Sequence, residues 1–155
     1  MPNRKKHVSV GGAAGVAYAA LNALDQSPFN LVLEAIGGFA GGKVGGCIPD
    51  FLDPATTPNH RDMAHSLLAV GGVLALAAKD KLMSWHQDLR DKANAFATDR
   101  LACEAGSLQA ILFGIQEMTC RMLAGFVAGL LAGCLSHLVL DAGSPEGLCL
   151  ICRGF

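Results

Sequence analysis

Apolar residues gather into four stretches, roughly Val8 to Leu24, Leu31 to Ile48, Ala64 to Ala78 and Met122 to Leu140. A helix that crosses the ~30 Å hydrocarbon core of a bilayer needs about 20 such residues, with ~17 as a lower bound. The fourth stretch meets that length and holds no Asp, Glu, Lys or Arg. The first two sit at the limit, and the third falls short. The pattern predicts an all-α fold: an integral membrane bundle of about four transmembrane helices, forming a single domain over residues 1–155. The alternative is a very hydrophobic soluble helical bundle.

Charge is dense between the third and fourth stretches, from Lys79 to Gln109. There Leu82, Trp85, Leu89, Ala93 and Phe96 recur at helical three-and-four spacing, with Lys, Asp and Arg on the other side. This predicts a charged amphipathic helical insert over 79–121, lying on the membrane or projecting from it. His86 reads as a surface residue of that insert. A helix from Ser107 through Leu140 would be about 50 Å long at 1.5 Å per residue, longer than the hydrocarbon core. Gln116, Glu117 and Arg121 are therefore expected near the far interface, with Arg121 snorkelling. Glu117 and Arg121, four apart, are expected to pair on one helix face.

Composition supports a membrane setting. The chain of 155 residues is 52% hydrophobic with 19 glycines and only 16% charged residues, where a soluble domain carries about a quarter. Mean hydropathy is +0.39. A net charge of −1 without a broad basic patch argues against nucleic acid as a partner. Arg4-Lys5-Lys6 instead suits an anionic membrane surface, so membrane lipid is the expected partner. A basic start followed by an apolar run, without a small-residue cleavage site before Asp25, predicts an uncleaved first span. Cys103, Cys120 and Cys134 lie in apolar or helix-like stretches and read as small hydrophobes. Cys149 and Cys152 make one CxxC with no second pair.

The glycines are spaced for helix contact. Gly37, Gly41 and Gly45 form one row, Gly38, Gly42 and Gly46 an adjacent one, Gly125, Gly129 and Gly133 a third, and Gly11 and Gly15 a shorter one. In lipid no hydrophobic force draws helices together, so small residues that admit close backbone contact matter more. Internal packing is the expected use of these rows, with homo-oligomer contacts through the glycine-rich faces as the alternative.

The chemistry-bearing residues follow from topology. In a four-span bundle the start of the first helix, the end of the second, the start of the third and the end of the fourth share one membrane side. That brings together His7, Asp50, Asp53, His60, His65, His137 and Asp141. Imidazole and carboxylate ligands suit a divalent metal, zinc first and manganese or iron next, as one or two ions. A bound metal would supply hydroxide near neutral pH and polarise a carbonyl or phosphoryl oxygen. Arg61 could fork onto an anionic substrate oxygen, and Asp62 and Ser66 could orient histidines. The bland alternative is a polar network that holds the four helix ends together.

The order of these motifs resembles the YdjM-like inner-membrane proteins, a family described as metal-dependent hydrolases. The resemblance rests on His7 before a glycine-containing span, then "PDFLDP", "HRDMAHS" and "SHLVLDAGSPEG". It covers most of the chain outside Lys79 to Arg121. It implies a multi-span, mainly helical protein of a bacterial-type inner membrane with a candidate metal centre. Asp53 follows Asp50 by three residues, where the family often has two.

The expected function is thus a membrane-embedded metal-dependent hydrolase acting at headgroup height, on a lipid ester or phosphoester. Arg61 would stabilise the developing anion, and Asp53 would serve as ligand or general base. The alternative is a non-enzymatic oligomeric membrane effector or scaffold with a structural metal site. A metal-ion transporter would place its ligands near the bilayer midplane rather than at helix ends. Lys and Arg flanking the spans divide five against five between the two sides. The compact Arg4-Lys5-Lys6 cluster then favours a metal site on the cytoplasmic side.

Overall fold

The computed structural model describes residues 4–52 and 67–142, and every regular element among them is an α-helix. In chain order these are α1 (Arg4–Asn22), α2 (Pro28–Gly45), the short α3 (Ile48–Leu52), α4 (Leu67–Ala102) and α5 (Leu108–Ala142). Helix α2 starts where Ser27 accepts a hydrogen bond from the Asn30 N–H at 3.3 Å and Pro28 takes the first turn, where its missing N–H costs nothing. Ser107 caps α5 in the same way, accepting from the Ala110 N–H at 3.2 Å. Between α4 and α5 the chain turns through Gly106, whose φ of 81° suits a residue without a Cβ.

Helix α5 is the hub. Helices α1, α2 and α4 all pack on it, and α1 also packs on α2. The contacts are made by backbone. A Cβ on Gly37, Gly41 or Gly45 would strike the α5 carbonyls of Met122, Phe126 and Leu130. One on Gly125, Gly129 or Gly133 would strike the α2 carbonyls of Glu34, Gly38 and Gly42. Gly38 and Gly42 also face α1, against Gly15 and Gly11. All of the glycine rows are therefore engaged inside the chain. The fully buried apolar residues are correspondingly small, among them Ala19, Ala23, Ala93, Ala124 and Ala128.

Large apolar side chains point the other way. Phe29, Val32, Ile36 and Phe39 form an exposed stripe on α2, and Ile111, Leu112, Ile115, Met118 and Met122 form another on α5. Contiguous apolar surface of this extent marks a lipid or protein contact. Among the described residues, two helical stretches are long and apolar enough to cross a membrane, Pro28–Phe51 and Leu108–Asp141. The sequence pattern led to an expectation of about four.

The charged stretch, expected as an insert running into an extension of the last helix, spans the end of one helix and the start of the next. Residues 79–102 continue α4 without a break from Leu67, and residues 108–121 are the first turns of α5. The buried side of α4 is also rotated from the expected apolar stripe. Trp85 is half exposed, while His86 and Arg90 are buried beside Ala93. His86 is thus no surface residue: it is 2% exposed, with Nδ1 3.0 Å from the Ala124 carbonyl of α5.

A second correction concerns Glu117 and Arg121, which do not pair with each other. Glu117 accepts from Arg100 Nε at 3.1 Å. Arg121, buried rather than snorkelling, donates to Gln26 Oε1 at 2.7 Å and Asn94 Oδ1 at 2.6 Å and lies 3.6 Å from Glu34 Oε1. Arg90 lies 3.3 Å from the same oxygen and donates to Asp25 Oδ1 at 2.7 Å. This polar layer ties the α1–α2 turn, α2, α4 and α5 together around the buried Glu34. Helix-face counting missed it because a charge with a tertiary partner can be buried, and the partner is remote in sequence.

Two outcomes follow from the packing. Gly129→Ala would drive a Cβ into the α2 backbone at Gly38 and should destabilise the protein by about 1–3 kcal/mol. Gly114→Ala meets nothing nearer than Arg100 Cδ at 3.4 Å and should be neutral or stabilise by up to about 1 kcal/mol through helix propensity. Unfolding of the two variants in the same detergent checks the contrast.

The turn also carries a pH dependence. The Arg90 guanidinium, with Gln26, holds the exposed Asp25 carboxyl below its ordinary value of 3.8. A depressed folded pKa contributes stability that is complete above the unfolded pKa and disappears as pH falls through the folded value. Asp25→Asn should therefore melt below the wild type at neutral pH, and the two melting curves should converge as pH drops below the carboxylate range.

Candidate functional site

The ends of α1, α2 and α5 meet because glycine lets them. A Cβ on Gly11 would lie 2.5 Å from the Gly42 carbonyl oxygen, and one on Gly46 would lie 2.7 Å from the His7 carbonyl oxygen. The start of α1 is thereby pressed onto the end of α2, and His7 turns inward to 3% exposure. Gly46 caps α2, its N–H donating to the Gly42 carbonyl at 2.9 Å. Its own carbonyl accepts a hydrogen bond from His137 Nδ1 of α5 at 2.7 Å. One turn further along α5 stands Asp141, and α3 brings Asp50 in from beyond Gly46.

The four side chains form one cluster. His7 and His137 stack with ring centroids 3.9 Å apart at 25°. His137 Nε2 lies 3.1 Å from Asp141 Oδ2 and 3.5 Å from Asp50 Oδ1, and His7 Nε2 lies 3.5 Å from Asp141 Oδ1. His137 is buried, Asp141 is mostly covered, and the Asp50 side chain is about half exposed, at 48%. The cluster is therefore shielded on its helical side and open at Asp50.

Hydrogen bonding sets the chemistry of His137. A carbonyl oxygen only accepts, so Nδ1 carries the proton and Nε2 is left to face the two carboxylates. Two acceptors facing each other need a positive group between them, either a proton on Nε2 or a cation. Imidazole held by a carbonyl at one nitrogen and presenting the other is the usual arrangement for a metal-binding histidine. The residues fit a divalent ion in size as well. Bonds of about 2.0–2.1 Å at tetrahedral angles put neighbouring donors roughly 3.3 Å apart. The contacts of 3.1–3.5 Å bracket that spacing, and donor atoms of His7, His137 and Asp141 all lie within 4.8 Å of one another.

Of the residues singled out by sequence, His7, Asp50, His137 and Asp141 are brought together. Asp53, His60, Arg61 and His65, with Asp62, Ser66, Cys149 and Cys152, lie outside the described residues. Cys47, Cys103, Cys120 and Cys134 are free thiols, each partly buried. The role of the Gly46 carbonyl had no signal in the sequence, since a backbone acceptor is chosen by helix ends rather than by residue type.

A known family, described as YdjM inner membrane protein, matches this chain over residues 1–152. The chain belongs to the YdjM inner membrane protein family. No curated protein and no solved structure matches it. Membership in YdjM agrees with the two apolar helices and their outward-facing apolar stripes.

The cluster should divide by exposure when its members are removed. His137→Ala takes a buried donor from the Gly46 carbonyl and should cost about 1–3 kcal/mol. Asp50→Ala removes a half-exposed partner and should cost less than about 1 kcal/mol. Unfolding at neutral pH in chelator distinguishes the two.

Proposed function

We propose that this YdjM protein is a membrane-embedded metal-dependent hydrolase whose centre lies at one end of the helical bundle. The observation that carries the reading is the convergence of His7, Asp50, His137 and Asp141 from α1, α3 and α5, with the His137 tautomer set by Gly46. Asp53, His60 and His65 would complete the ligand set for one or two ions, zinc before manganese or iron. When bound, such an ion acidifies water and polarises a carbonyl or phosphoryl oxygen. His7 and His137 present imidazole from the buried side, and Asp141 spans both rings. Asp53 serves as ligand or general base, and Arg61 holds the anionic oxygen of the substrate.

Helix ends at headgroup height favour a lipid ester or phosphoester, and the exposed stripes of α2 and α5 favour a lipid surround. About four spans, formed by α1, α2, the first half of α4 and α5, complete this arrangement. The site then faces the cytoplasm on the strength of Arg4-Lys5-Lys6. Metal analysis of protein purified without chelator should find about one or two zinc, manganese or iron ions per chain. His137→Ala and Asp141→Ala should lose them, and a metal-free wild type would count against the reading.

One observation favours a structural role instead. The cluster fastens the end of α2 to α5 through His137 and Gly46, as a scaffold with a structural metal would require. Asp141→Ala separates the two readings. A variant that keeps its helicity and melting behaviour but loses phospholipid hydrolysis supports the enzyme, whereas a variant that unfolds supports the scaffold.

A further inference from the structure

The polar layer around Glu34 has a hydrogen-bonding deficit. Glu34 is completely buried on α2, six residues or about 9 Å into the helix from Pro28. Arg90 reaches it from α4 and Arg121 from α5. His86 belongs to the same level. Its Nδ1 meets the Ala124 carbonyl, and the next residue, Gly125, is in backbone contact with Glu34.

Five buried polar atoms here make no hydrogen bond: both Glu34 oxygens, His86 Nε2, Arg90 Nε and Arg121 Nε. The Arg90 and Arg121 approaches to Glu34 Oε1, at 3.3 and 3.6 Å, are charge contacts without hydrogen-bond alignment. Because the Ala124 carbonyl can only accept, His86 Nδ1 carries the ring proton, and in the neutral ring Nε2 is an acceptor. The layer then holds three unmet acceptors and two unmet donors. Buried groups of this kind are ordinarily met by internal water, and an added proton would turn one acceptor into a donor. Ionisable groups at such depth in a membrane domain are functional by default.

We propose that Glu34 and His86 together hold one exchangeable proton, relayed by internal water, at a buried site separate from the His/Asp cluster. The proton is delivered by a hydronium ion of the solvent: its O–H bond breaks as an N–H bond forms at His86 Nε2 or an O–H bond forms at a Glu34 oxygen, and a water molecule is left behind. A cavity of about 350 Å³ is lined by Ser27, Asn30, Arg100 and Glu117, and Glu117 stands one turn from Arg121 on α5.

The charged and titratable groups around the site are known for each described element. The α1–α2 turn supplies Asp25, α2 supplies Glu34, α4 supplies His86, Arg90 and Arg100, and α5 supplies Glu117 and Arg121. Helix α1 supplies Tyr18, whose hydroxyl meets Met83 Sδ of α4 at 3.7 Å. Asp25 and Glu34 balance Arg90 and Arg121, and Glu117 balances Arg100, so proton uptake adds one positive charge to the layer.

Nitrogen-15 NMR of the full chain, histidine-labelled in lipid nanodiscs with chelator present, tests the proposal over about pH 5 to 8. His86→Gln serves only to assign the signal. The expected wild-type result is an Nδ1 that stays protonated, an Nε2 that gains a proton as pH falls, and a cross-peak from Nε2 to water. Glu34→Gln should displace the Nε2 midpoint by about one pH unit or more. An Nε2 whose protonation does not change, or a midpoint that Glu34→Gln leaves in place, overturns the shared proton. Should Glu34→Gln not fold, the wild-type spectra decide alone: absence of the water cross-peak overturns the relay. None of these readouts depends on metal at His7 and His137.

Discussion

The close approach of α2 to α1 and α5, backbone against backbone, is the constraint on which the rest depends. Gly37, Gly41 and Gly45 lie on α5, and Gly38 and Gly42 face α1 as well. Without hydrophobic expulsion from water to draw helices together, contact must come from van der Waals fit, and removal of the Cβ maximises it. The cost of glycine in a helix, about 1 kcal/mol each relative to alanine, is offset by contacts that no larger residue could make. That same approach sets the distance between helix ends, and so the distance from Gly46 to His7 and His137.

Two polar layers hang on this frame. Glu34 and Gly46 lie twelve residues apart on α2, about 18 Å along the axis. Around Glu34 gather arginines and a histidine, and around Gly46 gather histidines and aspartates. The layers differ in exposure and in charge. The Glu34 layer is enclosed between helices and is rich in guanidinium, which stays charged. The Gly46 layer opens at Asp50 and is made of groups that bind cations.

Much of this was legible from residue spacing. The i,i+4 relation of His137 and Asp141 put both on one face of α5, and they meet at 3.1 Å. The length of α5 followed from a helix-compatible stretch running from Ser107 through Leu140, of which the apolar run from Met122 is the second half. The buried side of α4 did not follow. Leu82, Trp85, Leu89, Ala93 and Phe96 were the apolar set, yet the innermost positions include His86 and Arg90. Hydropathy assigns a charge to the surface because an unpaired charge cannot be buried. It has no term for Glu34, 56 residues upstream of Arg90, whose carboxylate makes burial tolerable.

The sequence by itself determined that the chain is helical, rich in small residues and apolar enough for a membrane, and that His7, "PD" and "SHLVLD" stand at helix ends. These are properties of local period and composition, which each segment expresses on its own. Only the tertiary structure decided which charges are buried, which nitrogen of His137 carries the proton, and that Glu117 turns to Arg100 while Arg121 turns to Glu34. Those outcomes depend on atoms distant in sequence and close in space, and a single backbone carbonyl at Gly46 is enough to choose between them.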